Sequence, residues 1–143
     1  MTTQESILIK VTTEKLFSYL MDVSKRKEYI PALEEVIMLD PLPIREGSRY
    51  IEVVNIAGKR LEITYQVVVI ELNKRITAKA LKSIFPIQAD LMLMEKGGTT
   101  HMTIQLEFKL TGVFRLASGA VRAVARQQVK GILENIKQAL ENN

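Results

Sequence analysis

The chain has no cysteine, no tryptophan and a single histidine among its 143 residues. Without cysteine it has no disulfide framework, no thiolate metal site and no cysteine nucleophile. The lone His101 has no second histidine or cysteine with which to build a zinc site, so no metal and no cofactor are expected. No serine stands in a Gly-x-Ser-x-Gly elbow, which removes a serine–histidine hydrolase of that type. Glycines are sparse, and Gly97-Gly98 and Gly112…Gly119 lack phosphate-loop spacing. No apolar run approaches the roughly 18 residues of a membrane-spanning helix. The opening Met1-Thr-Thr-Gln-Glu has neither the basic nor the apolar part of a secretory signal. The expected location is the cytoplasm.

What is present is a globular composition, 47% hydrophobic and 25% charged, with a formal charge of +4. The length suits one domain over residues 1–143, burying about two thirds of the surface that the unfolded chain exposes. Alternation of apolar and polar residues dominates the first three quarters. Ile7, Ile9 and Val11 open it. Thr12 or Thr13 can cap a helix carrying Leu16, Phe17, Leu20 and Met21, and a second short helix runs from about Ser24 to Pro31. Short apolar stretch 36–39 precedes strands over 49–56, 60–72, 75–82, 87–95 and 100–110, separated mostly by tight turns. In the longest, Leu61, Ile63, Tyr65, Val67 and Val69 take one face. In the last, Met102, Ile104, Leu106, Phe108 and Leu110 do so, with His101 facing the other way.

One long helical pattern closes the chain, from Gly112 to Asn142. On a wheel, Phe114, Val121, Ala125, Val129, Ile132, Ile136 and Ala139 share one arc, and Arg115, Arg122, Arg126, Lys130 and Lys137 gather on a flank. The order is therefore strand, two short helices, six further strands and a long helix. Segregated strands and helices mean α+β: a seven-stranded antiparallel sheet whose apolar face the C-terminal helix must cover.

Several segments, in this order, resemble the START / polyketide cyclase-like (SRPBCC) superfamily and its helix-grip fold. The stretch Ile7-Leu-Ile-Lys-Val-Thr-Thr-Glu-Lys-Leu-Phe-Ser-Tyr-Leu-Met-Asp22 looks like the family's first strand, first helix and following aspartate. Lys27-Glu-Tyr-Ile-Pro-Ala-Leu-Glu-Glu-Val36 looks like the second short helix and entry to the next strand. Glu46-Gly-Ser48, Gly97-Gly-Thr99 and Ile136-Lys-Gln-Ala-Leu-Glu141 are similar to its turns and helix end. The Tyr-Ile-Pro segment and alanine-rich last helix resemble the branch of carbon monoxide dehydrogenase subunits, with the coenzyme Q-binding branch second. The tryptophan that many cyclase-like members carry after the first helix is absent, and Tyr29 lies nearby.

The resemblance implies that the sheet curves around the C-terminal helix. It also implies binding or transport of a lipid, isoprenoid quinone or polyketide-like molecule in a cavity between them. The alternative is a cyclase- or hydrolase-like enzyme acting on such a ligand through Asp90 or Tyr65. Expected ligand-binding residues are Tyr65, Met102, Phe108, Ala117, Val121, Val124 and Gln128, with Asn135 a further polar candidate. No catalytic residue is assigned. Asp90 is expected on the outer, solvated face of its strand. The basic flank suits peripheral contact with an anionic membrane, whereas the lack of interleaved aromatics argues against nucleic acid. The expected state is a monomer or homodimer.

Overall fold

The computed structural model describes residues 1–142. Its elements are β1 (Thr2–Ile9), α1 (Thr13–Met21), α2 (Arg26–Tyr29), β2 (Leu33–Met38), β3 (Arg49–Ile56), β4 (Lys59–Glu71), β5 (Arg75–Lys82), β6 (Ile87–Lys96), β7 (Thr99–Phe108) and α3 (Ser118–Glu141). All seven strands form one antiparallel sheet in the order β1-β7-β6-β5-β4-β3-β2. This is the α+β helix-grip architecture expected from the sequence. Consecutive strands pair from β2 to β7, so those registers are set locally, whereas β1 pairs with β7 from the other end of the chain. At the β3–β4 turn Ala57 and Gly58 both have positive φ, 54° and 82°. That geometry matches strand twist, and the glycine meets it without strain.

The helix starts follow from side-chain chemistry. Thr12 caps α1 by accepting a hydrogen bond from the Lys15 amide at 3.2 Å. Asp22 caps the next turn, because its carboxylate accepts from both the Ser24 amide and the Ser24 hydroxyl. That turn is a 3-10 segment over Val23–Lys25, and it leads into α2.

β-Bulges bend the sheet, and one moves a face. A register shift between Val67 and Val69 puts Val69 opposite Thr77 on the convex side, while Ile70 takes the concave side opposite Ile76. The uninterrupted face through Val69 expected from alternation therefore stops at Val67.

The core lies between the concave side of β1, β7 and β6 and the cover formed by α1, α2 and the second half of α3. Ile9, Leu16, Met102 and Ile136 have no accessible surface, and Val129, Leu133 and Leu140 join them. Full burial of each large side chain contributes about 1.5–3 kcal/mol. The closing helical stretch is not continuous. A left-handed Gly112 (φ 57°) starts a 3-10 turn, Gly112–Arg115, and α3 proper begins only at Ser118. Its 24 residues span about 36 Å rather than the 45 Å of an unbroken run. The buried seam is Val129, Leu133, Ile136 and Leu140. Leu133 and Leu140 displace Ile132 and Ala139, which are only half-buried.

Asp90 faces outward as expected, opposite Thr77 and Gln105, but it is not solvated: it is 5% exposed. Arg75 bonds it at 2.8 Å through Nη2, and the Thr77 hydroxyl donates to the same oxygen. Burial pushes this carboxyl up, yet the bonds from Thr77 and Arg75 outweigh burial and leave it below its ordinary value. A depressed folded value contributes stability above the unfolded pKa that is lost as pH falls through the folded one. Asp90→Asn is therefore expected to cost about 1–3 kcal/mol at neutral pH. That cost should shrink as pH drops below the ordinary 3.8. Urea titrations of both proteins across that range check it, and a pH-independent difference would refute the ion-pair account.

Candidate functional site

The concave side of the sheet carries two kinds of surface. Over β1 and β7 it is closed by helices. Over β3, β4 and β5 the cover is partial: Tyr50, Val54, Val67 and Ala78 are buried, but α3 packs chiefly against β1 and α2 and leaves the rest of this face open. Leu61, Ile63, Tyr65, Ala80, Ala89 and Leu106 consequently share the concave face yet stay half-exposed. The first half of α3, before Val129, carries no buried residue. Arg122, on the same side of the helix as Ser118 and Val129, is exposed. Arg126 reaches across to Glu5 on the concave side of β1, Nε to Oε1 2.8 Å.

At the margin of the hollow sits a polar cluster. Arg26, on α2, is 8% exposed, and its Nη1 lies 3.2 Å from Glu52 Oε2 on β3. Its Cζ stands 4.4 Å from the centroid of the Tyr50 ring, a cation–π contact worth about 2 kcal/mol when desolvated. Tyr50 stacks on its cross-strand partner Tyr65, with centroids 5.6 Å apart. Tyr29 lies on the other side of Arg26 and packs against Tyr19 at 5.4 Å.

The electrostatics of this cluster assign roles. Burial pushes the Tyr29 phenol up to about 12, with Arg26 opposing. Burial also raises the Tyr50 and Tyr65 phenols, and Glu52 adds to both shifts. All three therefore hold their protons at neutral pH and act as donors rather than nucleophiles. Burial works against the charge on Arg26, but Tyr50, Glu52 and Tyr29 more than offset it. The Glu52 carboxyl is raised by burial and only partly pulled back by Arg26. Among the described residues no buried side-chain polar atom lacks a partner. The Tyr65 hydroxyl forms no hydrogen bond among them, so it keeps some accessible surface.

The residues expected to bind ligand are not gathered into one closed cavity. Tyr65 lies in the open hollow. Phe108 is buried on the same face and packs against Phe85, centroids 5.9 Å apart. Met102 belongs to the sealed core with no accessible surface, so it does not line the hollow. On α3, Val121 and Gln128 are half-buried, whereas Ala117 and Val124 (41% exposed) face solvent. Asn135 donates to the Tyr29 carbonyl at 3.4 Å. Two open depressions are formed elsewhere. One, of about 380 Å³, runs along the sheet end between Lys79, Ala80, Pro86, Ile87, Phe108 and Lys109. The other, about 450 Å³, belongs to the polar loop Asp40–Arg49. Among the described residues no cluster of metal-binding side chains occurs and no helix is long and apolar enough to cross a membrane.

Sequence reasoning missed Arg26, Glu52 and Tyr50. The available signal was Glu52 sharing parity with Tyr50 and Val54, a carboxylate amid an apolar face. Ile51 and Val53 hid it by making both faces of β3 look apolar.

This fold, with a hollow between sheet and last helix, defines a START-like, helix-grip protein. The model of the polyketide cyclase / dehydrase and lipid transport family matches residues 1–141, and the chain belongs to that family. Solved structures agree on the fold. A Thermus thermophilus protein superposes with a TM-score of 0.87 at 15% identity, covering 99% of this chain and 98% of its own. A Streptomyces aromatase/cyclase gives 0.85 at 14% identity, with 99% and 94% covered. A START superfamily protein from Mycobacterium smegmatis gives 0.80 at 16%, with 99% and 97% covered. No curated protein sequence matches significantly.

Proposed function

We propose that the chain binds or transports a hydrophobic small molecule, such as a lipid, isoprenoid quinone or polyketide-like compound, in the hollow between the concave sheet and α3. One observation carries this reading: Leu61, Ile63, Ala80 and Ala89 point from the concave face yet remain half-exposed. An apolar face left without protein cover gains about 25 cal/mol per Å² when a guest covers it, before association costs. Tyr65 and Glu52 at the margin supply the few polar contacts that orient such a guest. Phe108 backs the hollow, and Val121 and Gln128 wall it from α3, with Ala117 and Val124 closing over it only if that half of the helix moves inward.

An enzymatic reading shares the same hollow. The raised Glu52 carboxyl beside a free Tyr65 hydroxyl favours acid–base work on a bound ligand. Asp90, on the convex side and ion-paired, takes no part. A cytoplasmic location and a monomeric or homodimeric state are carried along as parts of the proposal.

Native mass spectrometry of the purified protein, followed by solvent extraction, tests it. The expected result is a co-purifying apolar molecule that leaves on extraction. Protein that carries no such mass and takes up no lipid, quinone or aromatic polyketide on incubation would reject the reading.

A further inference from the structure

One end of the molecule concentrates exposed apolar side chains. Leu116 is 92% exposed, Val113 75%, Ile84 49% and Leu81 48%. They come from two segments joined by aromatic contacts: the end of β5 with the loop that follows it, and the 3-10 turn before α3 with its C-cap Leu116. Phe85 meets Phe114 edge-on at 5.3 Å, and the Lys109 amide bonds the Pro86 carbonyl at 3.1 Å. Apolar side chains this exposed need a reason when they cluster. Phe85 also packs against the buried Phe108 at the end of β7, centroids 5.9 Å apart, which ties the tip to the sheet.

The charge around this tip has one sign. Neither 72–89 nor 108–133 contains an aspartate or glutamate. Lys79, Lys82, Lys109 and Arg115 are all exposed and lie within or beside the two segments. None has an ion-pair partner among the described residues, unlike Arg126 with Glu5 and Lys137 with Glu141. On the α3 flank Arg126 and Lys137 are paired, whereas among the described residues Arg115 at the tip, like Arg122 and Lys130 further along, is not. Glu107, in the neighbouring groove, is the opposing acid. The N-terminus of α3 points the same way: no side chain caps it and no acid occupies its first turn, which leaves its positive end open to an anion.

We propose that this tip, Leu81, Ile84, Val113 and Leu116 within a ring of Lys82, Lys109 and Arg115, docks on an anionic lipid bilayer. The apolar side chains enter the headgroup–acyl boundary and the cations meet lipid phosphates and carboxylates. The groove of Ala80, Pro86, Ile87 and Phe108 opens beside the tip. Docking therefore sets the membrane beside this groove, which Lys79, Gln88 and Glu107 also line and which reaches the concave face at Ala80. That last step rests on the carrier reading; the docking itself does not.

Cosedimentation with phosphatidylcholine vesicles, with and without added phosphatidylserine, tests the proposal. The intact chain should pellet with the anionic vesicles and be released by salt, since exposed charges are screened within about 8 Å at physiological ionic strength. Lys82→Ser/Lys109→Ser/Arg115→Ser should weaken that partitioning on the order of a hundredfold, at about fivefold per charge. Val113→Asp/Leu116→Asp should weaken it at least tenfold. Both variants alter only exposed side chains, and their thermal melts should match the parent. Equal pelleting with neutral and anionic vesicles, or variants that pellet like the parent, would overturn the proposal. So would an oligomeric state that changes with Val113→Asp/Leu116→Asp, because the tip would then be covered by a second copy. Ligand content, measured on the same variants, reads the carrier proposal separately.

Discussion

Arg26→Ala is expected to destabilise the protein by about 3–5 kcal/mol, because it strands the Glu52 charge in a site with almost no water. The two side chains are only 10% and 13% exposed and make one ion pair at 3.2 Å. Removing the guanidinium also takes the cation from Tyr50. For a chain of 143 residues the melting temperature should fall by roughly 10 °C or more. Two controls separate charge from packing. Arg26→Met/Glu52→Leu removes both charges while keeping bulk, and should recover most of the loss. If it is as unstable as Arg26→Ala, the pair matters for shape and the electrostatic account fails.

The second control is pH. The Glu52 carboxyl already stands above its ordinary 4.5 in the folded protein, and losing Arg26 raises it further. A carboxyl with a raised folded value binds a proton more readily folded than unfolded. Its favourable contribution is thus complete below the unfolded pKa and lost as pH rises through the folded one. The deficit of Arg26→Ala should narrow on acidification from neutrality toward 4.5. A deficit that stays constant or widens contradicts a buried uncompensated carboxylate.

Ala80→Trp is expected to weaken ligand binding on the order of seventyfold while leaving the fold intact. Ala80 stands opposite Tyr65 on the concave face and is half-exposed, so the indole has open space rather than core to enter. Displacing about 100 Å² of guest surface at about 25 cal/mol per Å² removes ~2.5 kcal/mol, on the order of seventyfold in affinity. The measurement is titration of the ligand recovered by extraction into both proteins, alongside urea unfolding. Undiminished affinity would place the guest elsewhere. Loss of affinity together with a large loss of stability would show that Ala80 is packed and the hollow shut. Tyr65→Phe is its milder partner. If the Tyr65 hydroxyl bonds the guest, Tyr65→Phe should lose about 1 kcal/mol of binding and no folding stability.

Most of the architecture could be read because β4, β5 and β7 alternate cleanly and their turns are short. Alternation reports face. It carries no information on where a register slips, which is why Val69 was assigned to the wrong side of the Val67/Val69 bulge. The closing helix was legible as amphipathic, but its first six residues were not separable from it. Gly112–Arg115 forms a 3-10 turn, whose period is too close to that of an α-helix to show in so short a run. The site was read less well, for a related reason. Lining residues were chosen by apolar parity, and parity cannot distinguish Met102, sealed in the core, from Tyr65, left half-open, since both point inward. The deciding variable is how far α3 reaches over the sheet. That depends on its contacts with β1 and α2, distant in sequence. Arg26 and Glu52 were invisible for the same cause: residues 26 positions apart become a pair only after α2 folds over β3.

α3 is thereby two devices on one rod. From Val129 onward it is held by Leu133, Ile136 and Leu140, and a change there is felt by the whole molecule. From Ser118 to Gln128 no residue is fully buried, so substitutions there escape the folding constraint that governs the other half. If the proposed carrier role holds, the chain can be retuned to a differently shaped guest by rewriting roughly three turns of helix while keeping its stability nearly fixed. On that proposal recognition and folding, which compete for the same residues in most small domains, fall to different lengths of one element.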